Sequence, residues 1–229
     1  MMFNSGYLLF ALPALLFGLY AQFRIKSAYS KYLRVRSSSG MSGFEAAQRL
    51  LRMNGLEQVQ IGEIPGQLTD HYDPARKTLG LSSSVARSAS LAGLAIVAHE
   101  VGHASQDSQG YAMLKVRSGL VPIVQIGSML GPILFMVGLL LQFTPLAMVG
   151  LVLFSGTLVF TLITLPVEYN ASARALDMLT TSGLVTSREE ERGARAVLSA
   201  AALTYVAATI QSLANLLYYA SILTGSRRR

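Results

Sequence analysis

The 229-residue chain contains no cysteine and only three histidines, and just 14% of its residues are charged. Without cysteine, disulfides and thiolate metal sites are both excluded, so any metal would have to be held by imidazole and carboxylate. Charge is too sparse, and hydrophobic content at 52% too high, for the surface of a soluble domain. Residues 119–165 hold no Asp, Glu, Lys or Arg, which argues against a metal transporter, since transport needs ionisable groups inside the spans. No nucleic-acid recognition module and no basic stripe interleaved with aromatics is found. The +7 balance therefore predicts a lipid surface and no nucleic acid. Internal repeats and low-complexity segments are absent too.

What the chain does have is apolar length. Four runs approach the roughly 20 residues that a helix needs to cross a bilayer. The first, "GYLLFALPALLFGLYAQF" (6–23), has no lysine or arginine before it and no small-residue cleavage site after it. It predicts an uncleaved anchor rather than a signal peptide. Runs 120–143 and 146–165 are parted by little more than Thr144 and Pro145 and predict a tight hairpin across the membrane. The fourth, 201–223, carries Thr204, Gln211 and Asn215, is the weakest span, and is expected to turn that polar stripe toward other helices. Arg24, Lys26, Lys31, Arg34 and Arg36 follow the first run. By the positive-inside bias they place residues 24–118 in the cytoplasm, and the hairpin returns 166–200 to the same side. A full fourth crossing would carry Arg227, Arg228 and Arg229 outside, against that bias.

Residues 24–118 are punctuated like a small folded domain. Ser42 and Glu45 form a capping box for the helix "FEAAQRLLRMNG", which stops at Gly55. "VQIGEI", "LTDHY" and "TLGLS" read as short strands parted by Pro65-Gly66 and Asp73-Pro74 turns. Ser88 or Ser90 then caps a further helix containing "IVAHEVGHASQD" (96–107).

That stretch carries the chemistry. Residues four apart share one helix face, so His99 and His103 can offer ring nitrogens to one ion at about 2.0 to 2.1 Å. Glu100, about 100° around the helix, is placed to hold a metal-bound water as general base without being a ligand. Gly102 inside the helix costs about 1 kcal/mol relative to alanine, a cost that makes sense if something needs close backbone approach there. A catalytic site needs a third protein ligand and an open fourth position. His71 is the remaining histidine. The other candidate is Glu168 in "LPVEYNASARALDML" (165–179), where Pro166 is expected to end the third run and Glu168 to sit in or near the first turn of a new helix. Asp107, Asn170 and Asp177 are candidate partners for the free imidazole nitrogens. Arg174 is a candidate partner of Glu168 or Asp177. His71 has a second reading, as a donor to substrate or transition state. An extended peptide is expected to dock on an exposed strand edge beside the motif helix.

"SLAGLAIVAHEVGHASQD", "VRSGLVP", "LITLPVEYNASARAL" and "VLSAAALTYVAA" resemble, in this order and over nearly the whole chain, the YugP-like family of bacterial membrane zinc metallopeptidases. The resemblance implies one zinc ion, His99, His103 and Glu168 as its ligands, Glu100 as catalytic residue, and a neutral peptidase in a multi-pass membrane protein. Two departures stand out. Tyr169-Asn170 follows the glutamate, and Ser172 sits where the wider glutamate-zincin pattern has an aspartate. The expected architecture is an α+β membrane protein, mainly helical, with three to four transmembrane helices and a zincin-like domain containing the HExxH helix and a small β-sheet. Its parts are an anchor (1–24), the zincin-like domain (25–118), the hairpin (119–166), a helix with the third ligand (167–199), and an apolar helix with a basic tail (200–229). The expected activity is cleavage of membrane or misfolded proteins at the cytoplasmic face of the bacterial cell membrane. The apolar lead-in to His99 is too short to be a span, so the site belongs at the interface. A noncatalytic zinc-stabilised scaffold is the alternative.

Overall fold

The computed structural model describes residues 5–226, and it is a mainly helical α+β protein. In chain order the elements are α1 (Ser5–Leu33), α2 (Gly43–Met53), β1 (Gln60–Ile64), β2 (His71–Asp73), β3 (Thr78–Ser82), α3 (Ser83–Ala86), α4 (Leu91–Ser108), α5 (Ala112–Leu140), α6 (Thr144–Thr181) and α7 (Arg188–Ser226). Among the described residues, α1, α5, α6 and α7 are long and apolar enough to cross a membrane. The arginines at 227–229 lie outside the described residues.

The chain divides into two compact units. The first takes the chain up to Ala21, Lys115–Pro166, and everything from Thr204 onward. Within it α5 and α6 meet backbone to backbone. A Cβ on Gly150 would fall on the backbone of Gly131 and Phe135, so the side chain has to be absent there. Phe135, fully buried, stacks on Tyr219 of α7 at 4.6 Å between ring centroids. The polar stripe of α7 is partly self-satisfied: Gln211 donates its amide to Asn215 at 3.1 Å.

Two expected helix boundaries are corrected. Pro166 does not begin a new helix; α6 runs unbroken through it, so Glu168 is not in a first turn. A proline removes one ladder hydrogen bond, and apolar helices tolerate that when neighbours and side-chain hydroxyls re-satisfy the backbone. Pro122 and Pro132 lie inside α5 in the same way. Conversely, 167–199 is not one helix. The chain turns after Thr181 with Gly183 at φ 69°, and Ser187 starts α7 by accepting from the Glu190 amide at 3.1 Å.

The second unit comprises Gln22–Leu114 and Val167–Leu203. The Ser42–Glu45 capping box forms as expected, and Gly55 takes a positive φ just past α2. The sheet order is β1-β3-β2, with β1 parallel and β2 antiparallel to β3. A parallel neighbour is possible because β2 and its flanking turns lie between β1 and β3 in sequence. α4 runs through the core, with Leu91, Leu94, Ala95, Val97, Ala98 and Val101 buried against α2, β3 and the ends of α6 and α7. Ser90 is its cap, accepting from the Gly93 amide at 3.0 Å, and Ser88 bonds the Ser90 hydroxyl. α4 crosses α6 where a Cβ on Gly102 would stand 2.8 Å from the Ala171 carbonyl oxygen.

Gly102→Ala therefore tests the crossing. Helix propensity alone would stabilise the variant by about 1 kcal/mol. Overpacking against Ala171 is expected to win and destabilise it by about 1–3 kcal/mol in denaturant unfolding.

Candidate metal centre

The one-turn spacing on α4 brings the His99 and His103 rings edge to face, 4.7 Å apart. Glu168 on α6 comes up against both. Its Oε2 lies 3.2 Å from His99 Nε2 and 3.5 Å from His103 Nε2. Glu168 is 1% exposed, and the His99 side chain is 12% exposed. Ligand atoms of the three residues all fall within 4.8 Å of one another. Two ligands about 2.0 to 2.1 Å from one tetrahedral ion lie about 3.3 Å apart, close to both observed separations. The donor set, two borderline imidazoles and one hard carboxylate, suits zinc. Burial alone would lower the His103 pKa, but the Glu168 hydrogen bond and the carboxylate charges of Glu100 and Glu168 outweigh it and leave it raised.

Both outer ring nitrogens have partners. His103 Nδ1 is 3.0 Å from Gln106 Oε1, and His99 Nδ1 is 3.3 Å from the Ser172 hydroxyl. Ser172, four residues past Glu168, thus reaches the His99 imidazole from behind. Gln106, fully buried, was not singled out by sequence, although it lies on the His99–His103 face at i+7. A polar residue on the buried side of an apolar helix was the available signal.

Glu100 points to the sheet. Its Oε2 accepts from the Tyr72 backbone N–H of β2 at 3.0 Å. Burial pushes its pKa above the ordinary carboxylate value, against the lowering pull of His99 and His103. The Tyr72 hydroxyl in turn donates to Asp107 at 2.7 Å, and Lys77 pairs with the same carboxylate. Burial and that carboxylate hold the phenol well above its usual pKa, so it stays a donor. β2 is therefore fastened to α4 at two points one side chain apart.

The remaining candidates fall as follows. Asp107 faces Tyr72 and Lys77 rather than an imidazole. Asn170 accepts from Gln106 at 2.9 Å and from Arg174 at 2.8 Å. Arg174 extends to Ser105 and Gln109, and its bonds go to neither Glu168 nor Asp177. Asp177 is exposed, with its carbonyl accepting from Thr180 and Thr181. His71 is exposed on β2, its Nδ1 3.0 Å from the Thr69 carbonyl, and is not one of the three grouped donors.

A buried two-histidine, one-glutamate cluster in a chain with four bilayer-length helices defines a membrane metalloprotein. Residues 7–224 match the family described as "Putative neutral zinc metallopeptidase", and the chain belongs to that family. It is similar to the "Putative membrane protease YugP" of Bacillus subtilis (strain 168), 42% identical over 221 residues, covering 96% of this chain and 98% of that one. No solved structure matches the chain. The cofactor is zinc, and the three donors suit one ion.

The Tyr72–Glu100 bond has its own test, independent of metal or activity. In Glu100→Ala the Tyr72 amide loses its acceptor, and its hydrogen exchange is expected to accelerate about tenfold or more relative to the amides of β3. Unchanged protection at Tyr72 would show that the bond does not persist in solution.

Proposed function

We propose that the protein is a membrane-bound, gluzincin-type zinc endopeptidase that cleaves membrane or misfolded proteins. The observation that carries this reading is Glu168 Oε2 lying between the two HExxH imidazoles while Glu100 stands beside them on the same helix. In this reading His99, His103 and Glu168 hold the ion. Zinc held there would supply an acidified water and a Lewis acid for a scissile carbonyl. Glu100 would be the base that takes a proton from the attacking water and the acid that returns it to the amide nitrogen as the C–N bond breaks. Tyr72 holds the carboxylate through its amide.

The membrane side follows from charge. Lys26, Lys31, Arg34 and Arg36 belong to the same unit as the metal centre, as do Arg188, Arg192 and Arg195. The positive-inside bias puts them, and the active site, at the cytoplasmic face of the bacterial membrane. A protease that resides in the membrane is in keeping with the name of the B. subtilis relative.

Metal analysis and proteolysis of a mixed membrane-protein substrate test it together. His99→Ala and Glu168→Ala are expected to lose zinc. Glu100→Gln is expected to keep zinc and lose about 10²–10⁴-fold in cleavage rate. Full zinc content in Glu168→Ala would remove the third ligand, and undiminished cleavage by Glu100→Gln would remove the general base. If wild type binds zinc but Glu100→Gln and wild type are alike in cleaving nothing, a zinc-stabilised scaffold is the better description.

A further inference from the structure

The hydrogen bonds around His103 can be read as a one-way wiring diagram, because two of its ends allow no choice. The Val167 carbonyl can only accept, so the group 2.8 Å from it must be the Gln106 amide nitrogen. The Arg174 guanidinium can only donate, so the Asn170 atom 2.8 Å from its Nε must be the carbonyl oxygen. That oxygen is the second acceptor of the Gln106 NH₂, at 2.9 Å. With both its hydrogens committed, Gln106 turns Oε1 toward His103, and the Nδ1 facing it at 3.0 Å must carry a proton. A neutral His103 then has a bare Nε2 aimed at the Glu168 carboxylate 3.5 Å away. Two acceptors would face each other there, so the contact calls for a positive centre between them, a metal ion or a second ring proton.

His99 is held differently. A serine hydroxyl can donate or accept, so Ser172 at 3.3 Å imposes no tautomer.

We infer that Gln106, locked by the Val167 carbonyl and by Asn170–Arg174, is the positioning residue that makes His103 a metal ligand, and that it does so as a neutral amide. This rests on the metal-centre reading above and names the residues that prepare it. The neutrality has a consequence. Carboxylates commonly support zinc-bound imidazoles from behind. A carboxylate at 106 would keep the acceptor for His103 but would set its other oxygen against two acceptors, Val167 O and Asn170 Oδ1. Glutamate should therefore be worse than glutamine here.

The test is zinc affinity of the full-length protein, measured by competition with a chelator of known affinity, alongside the melting temperature of the metal-free protein. Gln106→Met, close in volume, and Gln106→Glu are both expected to weaken zinc binding about 10–100-fold. Asn170→Asp keeps an acceptor for both Gln106 and Arg174 and is expected to stay within about threefold of wild type. A purely structural role for Gln106 would lower the metal-free melting temperature and leave the affinity of the folded fraction alone. Wild-type affinity in Gln106→Met, or tighter binding in Gln106→Glu, overturns the inference. His99→Ala and Glu168→Ala are run beside them. If these too bind zinc like wild type, the metal centre itself is misassigned; if they lose zinc while the Gln106 variants do not, only the wiring is wrong.

Discussion

A carboxylate with 1% of its surface exposed needs compensation, and Glu168 is that carboxylate. An isolated buried charge is prohibitive, so the group has to be met by partners that carry positive charge or an ion. Two imidazoles one turn apart on α4 meet it. For them to do so, α4 and α6 must approach more closely than side chains ordinarily permit, and the missing Cβ of Gly102 beside the Ala171 carbonyl allows this. The helix crossing, the placement of Gln106 under the Val167 carbonyl and the reach of Ser172 to His99 all depend on that one close approach.

The sheet contributes position more than mass. β2 has three residues, too few to be stable by strand pairing alone. It is held on one side by β3 and on the other by α4, through the Tyr72 amide to Glu100 and the Tyr72 hydroxyl to Asp107. The same strand thus orders the Glu100 carboxylate beside the metal centre. Because Asp107 lies two turns beyond Glu100 on α4, the strand is aligned along the helix rather than pinned at a single point.

Much of the fold was legible before any coordinates, and the reason is locality. The capping box at Ser42–Glu45, the stop at Gly55 and the Ser90 cap are interactions among residues at most a few positions apart. Bilayer-length apolar runs need only composition and length. Pro166 misled for a related reason: a proline's local preference argues for a helix end, whereas a long apolar helix absorbs the missing bond. The turn at 182–187 is hard to read in the sequence because its marks, Gly183 and Ser187, are short signals inside a stretch otherwise rich in helix formers.

By itself the sequence determined that His99 and His103 share a helix face with Glu100 beside them, since four-residue spacing on a helix fixes which side chains share a face. It also determined that any metal must be held without thiolate, and that four helices are long enough to span a membrane. Only the tertiary structure decided how far Glu168 stands from the imidazoles, because 65 or so intervening residues carry no distance in their order. It likewise decided that Gln106 rather than Asp107 serves His103, and that the Tyr72 amide reaches Glu100. Neighbouring polar residues look alike in a sequence, and which one turns toward a ring depends on a helix phase and a strand register that long-range packing alone sets.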